Sequence, residues 1–394
     1  MKYFREGIWY CGKLILREGS MLDLDIERFW KDDELAHKDN CFSKDAPQAA
    51  LGIRMSDECV FAELGEPGKP WLPMDRDRRM DLNRRYNDKA EEIVGKRLLS
   101  EYYPEEDAVF PSIKMIGEVF GGEYVSNENS IWLKSEINTP AELENQLAKV
   151  ENLDIEDFIL PRNWYREKKR ISEKYGTMPG QVRGVRGPVT LATSIYGVEN
   201  LIFLILDEPA LAKRFSNAIA DVIIKMIRVI DKEAGFDPDT APGGFYFADD
   251  DCNLMTPEMY SLFGYPVLQK VFGYTDSCQG DGSAVRYQHS DSAMSHLLPQ
   301  LADFNLTGCN FGPTVTVEEI RRHMPKTRID GQLAPFTFMR NNEEDIISEV
   351  KRDCDMASGS KGLNVMTAGS INNGSLLSSM RTVMAAIQNF GRYD

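Results

Sequence analysis

Residues 284–333 read AVRYQHSDSAMSHLLPQLADFNLTGCNFGPTVTVEEIRRHMPKTRIDGQL, and the fold is legible in their rhythm. A short extended run, Ala284–Gln288, passes into the polar sequence His289-Ser290-Asp291-Ser292. The pattern predicts a helix from Met294 to Ala302, a strand over Phe304–Asn310, a helix from Thr316 to His323 and a strand over Arg328–Leu333. Strands that alternate with helices are βαβ units, and such units build a parallel sheet.

The same rhythm continues on both sides. Upstream, Val182–Gly187 reads as extended before the Gly187-Pro188 break, and a long helix runs from Pro209 to about Gly235. Its apolar stripe is Ile219, Val222, Ile223, Met226, Val229 and Ile230. Gly243–Phe247 reads as a strand leading to Asp249-Asp250-Asp251. Thr256-Pro257-Glu258 then opens a helix with a hydroxyl cap, a proline at the first position and an acid in the first turn. Downstream, Leu363–Thr367 is the last strand, ahead of Ser370 and an Asn372-Asn373-Gly374 turn.

The number of units predicts an α/β protein with a (β/α)8 TIM-type barrel over residues 106–394. Residues 1–105 predict a largely helical N-terminal extension that lends the barrel its first strand, at Cys59–Ala62. Within it, Met74–Met80 and Asn83–Tyr86 predict an exposed helix laced with ion pairs, in preference to an arginine cluster for an anion. No GxGxxG follows a strand, which argues against a dinucleotide-binding open sheet.

Composition narrows the partners. The chain has 394 residues, 42% hydrophobic and 27% charged, enough to build a sizeable core. Its net charge of −16 repels a polyphosphate backbone, so nucleic acid is not an expected partner. The longest apolar run, Leu201–Leu206, is far short of the roughly 20 residues of a membrane span. Met1–Lys13 lacks the apolar region of a signal peptide, so no membrane role is expected and the expected location is the cytoplasm. The seven cysteines (Cys11, Cys41, Cys59, Cys252, Cys278, Cys309, Cys354) are scattered without a CxxC pair, which predicts reduced thiols and excludes a zinc ribbon.

Function in a parallel barrel gathers where strands end. Those ends carry Arg186-Gly187-Pro188, Asp249-Asp250-Asp251, His289-Ser290-Asp291, Cys309-Asn310, Gln332 with Pro335, and Ser370 with Asn372-Asn373. His289 is the one histidine of four at such a position. Two residues apart on an extended segment, His289 and Asp291 leave on the same face. With Cys309 from the next strand they form a candidate His/Asp/Cys metal site with an open fourth position. The residues alone leave three roles open for His289: metal ligand, metal-free acid or base, or structural hydrogen-bonding group. The triple acid is a turn with capping acids, or else Asp249 or Asp250 points into the mouth to bind a polar substrate or protonate a leaving oxygen. GxSxG, P-loop and HExxH signatures are absent.

Gly187-Pro188-Val189-Thr190-Leu191-Ala192, the Met255-Thr256-Pro257-Glu258 helix start, and His289-Ser290-Asp291 ahead of Leu297-Leu298-Pro299 together resemble the uroporphyrinogen decarboxylase superfamily, from about Asp107 to the C-terminus. That superfamily contains the haem-pathway decarboxylase and methyltransferases that work with corrinoid proteins. The decarboxylase's arginine-rich RQAGRY-type segment and Phe-Ser-Asp-Ile segment are missing here; the latter stretch reads Phe110-Pro111-Ser112-Ile113-Lys114. A tetrapyrrole polycarboxylate wants several mouth-facing arginines, and only Arg186 and Arg286 are nominated. The thiol-activating methyltransferases carry His-x-Cys and a later cysteine on zinc, where this chain has His289-Ser290-Asp291 and Ser370.

The resemblance therefore implies the branch that removes methyl groups from methoxylated aromatics and passes them to a corrinoid protein. An ether oxygen leaves poorly unless it is protonated or bound to a Lewis acid. On this reading His289, Asp291 and Asp250 are catalytic, and zinc is the candidate metal on His289, Asp291 and Cys309. Arg186, Asp249, Tyr246, Tyr287 and Gln332 bind substrate, and Phe245, Tyr246, Phe247, Tyr287 and Phe336 are the candidates to line an aromatic pocket, with alternation along the strands sending some of them to the outer core. No Asp-x-His-x-x-Gly motif is present, so the corrinoid is expected on a partner protein. A homodimer is expected by analogy. The competing readings are a lyase acting on a small or tetrapyrrole carboxylate, and a non-catalytic corrinoid- or tetrapyrrole-binding protein.

Overall fold

A computed structural model describes residues 22–126, 131–237, 239–278 and 284–393. The Met1–Lys13 stretch and Cys11 lie outside them. Nine strands run in chain order: β1 (Ala50–Leu51), β2 (Glu123–Ser126), β3 (Ile131–Lys134), β4 (Val185–Arg186), β5 (Gly244–Ala248), β6 (Val285–Ser290), β7 (Gly308–Phe311), β8 (Arg328–Leu333) and β9 (Leu363–Thr367). Seven form one sheet in the order β1-β9-β8-β7-β6-β5-β4, and every neighbouring pair is parallel. The other two, β2 and β3, pair as a separate antiparallel hairpin. Among the described residues the sheet has edges at β1 and β4, so the expected eighth parallel strand is not a member of it.

The predicted first strand is a helix. Cys59–Ala62 lies inside the helix Asp57–Leu64, which has acids in its first turn and ends on Gly65 in the left-handed conformation. The barrel strand begins nine residues earlier in the chain, at β1, whose partner is β9. The arginine-rich run forms the helix Arg76–Val94, capped by the Asp75 side chain on Arg78 N–H. Its cations are paired as expected, although the best partners come from other segments: Arg85 meets Glu66 at 2.8 Å and Arg76 meets Glu105 at 2.9 Å.

Alternation along the strands sorts side chains between the barrel interior and the layer under the helices. On β5, Phe245 and Phe247 are buried outward, with Phe247 edge-on to Phe272 of the helix Pro257–Thr275. Tyr246 between them faces inward and stacks on Tyr287 of β6, with ring centroids 5.2 Å apart. Phe245 and Phe247 are therefore the pocket candidates that alternation sends to the core. Among the described residues no single helix is long and apolar enough to cross a membrane; the helices Pro188–Tyr196 and Val198–Asp207 meet that test only as a pair bent by 105°.

Candidate active site

The triple acid after β5 divides its labour. Asp249 is fully buried, and its Oδ1 accepts the Thr190 N–H at 2.8 Å. Thr190 is the third residue of the helix Pro188–Tyr196, whose N-cap position is Gly187. A Cβ built on Gly187 would lie 2.1 Å from the Asp249 Cβ. Asp249 thus occupies the place of the missing cap side chain, from the neighbouring strand. Burial, reinforced by Asp250 and Asp251 and opposed by the Thr190 hydrogen bonds, pushes its carboxyl up to about 7. Asp251 accepts from the Thr193 hydroxyl, and its N–H donates to Thr190 Oγ1 at 2.9 Å. Asp249 is a helix cap, which corrects its assignment to substrate.

Asp250 is the member left for chemistry. Its Oδ1 accepts the Asp291 N–H at 2.7 Å and lies 4.0 Å from His289 Nε2. Asp291 Oδ1 is 3.1 Å from the same nitrogen. One donor atom from each of the three residues falls within 4.8 Å of the others. The register of the sheet builds this: Ala248 sits opposite His289, and His289 opposite Asn310. On its other side His289 Nδ1 meets Asn310 Oδ1 at 2.8 Å. Burial lowers the basicity of His289, but the Asp291 hydrogen bond and the charges of Asp291 and Asp250 outweigh it, and the imidazole ends above its ordinary value.

Glycine makes the room. Gly369, after β9, has φ +117°, and a Cβ there would come 2.5 Å from Asp291 Oδ1. Its N–H donates to Asn310 Oδ1 at 3.0 Å. The loop after the last strand therefore both opens space for one carboxylate and tethers the amide behind the imidazole.

Of the three groups His289 lines a cavity of about 1730 Å³, together with Tyr246, Tyr287, Arg54 and Met366 and with Glu27, Trp30 and Glu34 from the N-terminal region; Asp250 and Asp291 are not among its lining residues. It exceeds the roughly 300–1,000 Å³ of pockets for drug-sized ligands. The Tyr287 hydroxyl donates to Asp330 at 2.7 Å, so that ring offers the cavity its face, and Tyr246 is exposed beside it.

The other nominated residues lie elsewhere. Cys309 is fully buried in the core, where burial pushes its thiol well above its ordinary value, and it is not in the group of side chains whose donor atoms meet at His289. It sits one residue before Asn310 and so on the opposite face of β7. Gln332 is buried and donates its amide to the carbonyls of Gly312 and Val315, bracing the loop after β7 instead of touching substrate. Arg186 is exposed at the end of β4, 3.3 Å from Ser194 Oγ, and is not among the residues lining the cavity. Phe336 is exposed outside it, and Arg286 is held by Asp276 on the outer side of β6. Arg54 was missed because the first strand was placed too late in the sequence; it follows β1 and makes no ion pair among the described residues.

The uroporphyrinogen decarboxylase (URO-D) family model matches residues 98–390. Among solved structures, a methyltransferase from Methanosarcina mazei is similar in fold: 17% identity over 91% of this chain and 98% of that one, with a TM-score of 0.55. No curated protein sequence matches the chain.

Proposed function

The chain belongs to the uroporphyrinogen decarboxylase family, and on that footing we propose that it is a methyltransferase that moves a methyl group from a small methoxylated aromatic to the cobalt of a corrinoid protein. The observation that carries this reading is the meeting of one imidazole nitrogen with two carboxylates, where the imidazole lines a large cavity together with two stacked tyrosine rings. The reaction needs an electrophilic push at the ether oxygen. Cobalt(I) donates an electron pair to the methyl carbon, the carbon–oxygen bond breaks with its pair on oxygen, and a proton or a Lewis acid takes up that charge.

His289 carries a proton at Nε2, held there by Asp291 and Asp250, and delivers it to the leaving phenolate. The donor set also fits a divalent ion. Asp250, His289 and Asp291 would hold it through two oxygens and one nitrogen, with positions open for substrate, and such an ion would supply Lewis acidity. The tyrosine faces receive the aromatic ring of the donor. The corrinoid is carried by a partner protein, which docks over the strand ends.

A second reading rests on Arg54. A cavity-facing guanidinium without an ion pair among the described residues favours a carboxylate on the small molecule, and with it decarboxylation. Carbon dioxide release without corrinoid would select that reading.

The test of methyl transfer mixes the protein, a panel of methoxylated aromatics and a reduced corrinoid protein, and follows the cobalt absorbance. The expected result is conversion to the methyl-cobalt spectrum, slowed about 10²–10⁴-fold in His289→Gln. Absence of methyl-cobalt across the panel overturns the proposal.

A further inference from the structure

The amide of Asn310 cannot be turned round. Its Nδ2 donates to two main-chain carbonyls, those of Asp330 and of Thr367, the latter at 3.0 Å. Its Oδ1 accepts the main-chain N–H of Gly369. Flipping the group would set a donor against that N–H and an oxygen against two carbonyl oxygens. Three backbone groups, none of which can reverse its role, therefore decide which end of the amide faces His289.

That end is the acceptor, 2.8 Å from His289 Nδ1. An acceptor there requires a donor on the ring, so Nδ1 bears the hydrogen. The neutral imidazole then presents its lone pair at Nε2, toward Asp291 Oδ1 at 3.1 Å and Asp250 Oδ1 at 4.0 Å. Three electron-rich atoms face one another, an arrangement suited to a proton or a metal cation shared between them. Without Asn310 the ring would be free to place its single hydrogen on Nε2, toward Asp291, and the cation-seeking character would be lost.

We infer that Asn310 is a positioning residue that locks His289 in the Nδ1–H tautomer and so dedicates Nε2 to a proton or divalent ion shared with Asp250 and Asp291. The inference deepens the proposed function, because it names what keeps the electrophilic nitrogen ready. Asn310 touches no reacting atom; it acts through His289.

The test is nitrogen NMR of protein labelled with ¹⁵N-histidine. The chain has four histidines, and His289 is assigned by its absence in His289→Gln. In metal-free protein, at a pH where the ring is neutral, the expected spectrum shows hydrogen on Nδ1 and a bare Nε2. Added zinc is expected to move the Nε2 signal and leave the Nδ1 hydrogen in place. In Asn310→Ala, with folding checked by circular dichroism, hydrogen shifts toward Nε2 and zinc affinity falls about 10–100-fold, as is usual when the outer partner of a ligating histidine is removed. An Nε2–H tautomer in the unmutated protein overturns the inference, and needs no variant to fold. So does an Asn310→Ala protein that keeps the parent spectrum and affinity. A locked Nδ1–H ring in a protein that makes no methyl-cobalt would leave this inference standing and sink the proposed function; an Nε2–H ring in an active protein would do the reverse.

Discussion

At the scale of single residues, Cys309 and Gly369 reverse the weight their types suggest. A thiol near a strand-end histidine reads as a ligand, and a glycine in a loop reads as a turn. The register gives Asn310, not Cys309, to the site, and makes Gly369 the residue that Asp291 needs absent a side chain. Cys309→Ala is expected to cost about 1 kcal/mol, the ordinary size of a single-site change, and to leave activity and zinc binding as they are. Gly369→Ala is expected to cost about 1–3 kcal/mol through its backbone conformation and to displace Asp291. Urea midpoints together with zinc titration of the two variants check the contrast. Equal loss of zinc binding in both would return Cys309 to the site.

At the scale of elements, the helix Pro188–Tyr196 is the clearest case of a local signal completed from a distance. The Gly187-Pro188 pair marks the start of the helix in the sequence, yet the residue that caps it comes from just after β5, 59 positions from Thr190. Asp249→Ala is expected to lose about 0.5–2 kcal/mol, the usual worth of a cap. Asp249→Asn keeps an acceptor for Thr190 and is expected to lose less. Denaturation of the two variants settles it: equal losses would mean that the carboxylate serves something other than the helix. The same logic explains the misplaced first strand. Cys59-Val60-Phe61 looks like a buried strand by its apolar character, and short apolar runs do not distinguish a strand from a buried helix face.

At the scale of the whole molecule, the N-terminal residues are stitched to the barrel they precede. Asp33 accepts the Leu51 N–H at 2.7 Å and so holds β1, while Arg392 pairs with Asp32 and Gln388 accepts from Asp25 N–H. One continuous core runs from Phe29 to Ile387. His37, at the end of the helix Ile26–Ala36, is raised to about 10 by its Asp33 hydrogen bond first and the Cys41 contact second, against burial. The folded state keeps a proton that the unfolded chain releases near pH 6.5. Its stabilisation is full below that pH and is lost as pH rises toward 10. Stability to urea is expected to fall between pH 6.5 and 9, and His37→Gln to flatten that fall. An unchanged slope in the variant would assign it to other groups. The half-exposed position of His37 keeps the effect small.

By itself the sequence determined the alternation of strands and helices, the helix starts at Thr256 and Thr316, and the placing of His289, Asp291 and Asp250 at strand ends, because periodicity, caps and turns are written within a few residues of one another. Only the tertiary structure decided that Asp249 closes a helix, that Cys309 is core, that Gln332 braces a loop and that Arg54 reaches the cavity. Those outcomes depend on strand register, where a shift of one residue exchanges the inside of the barrel for the outside, and on partners dozens of positions away that no local pattern encodes.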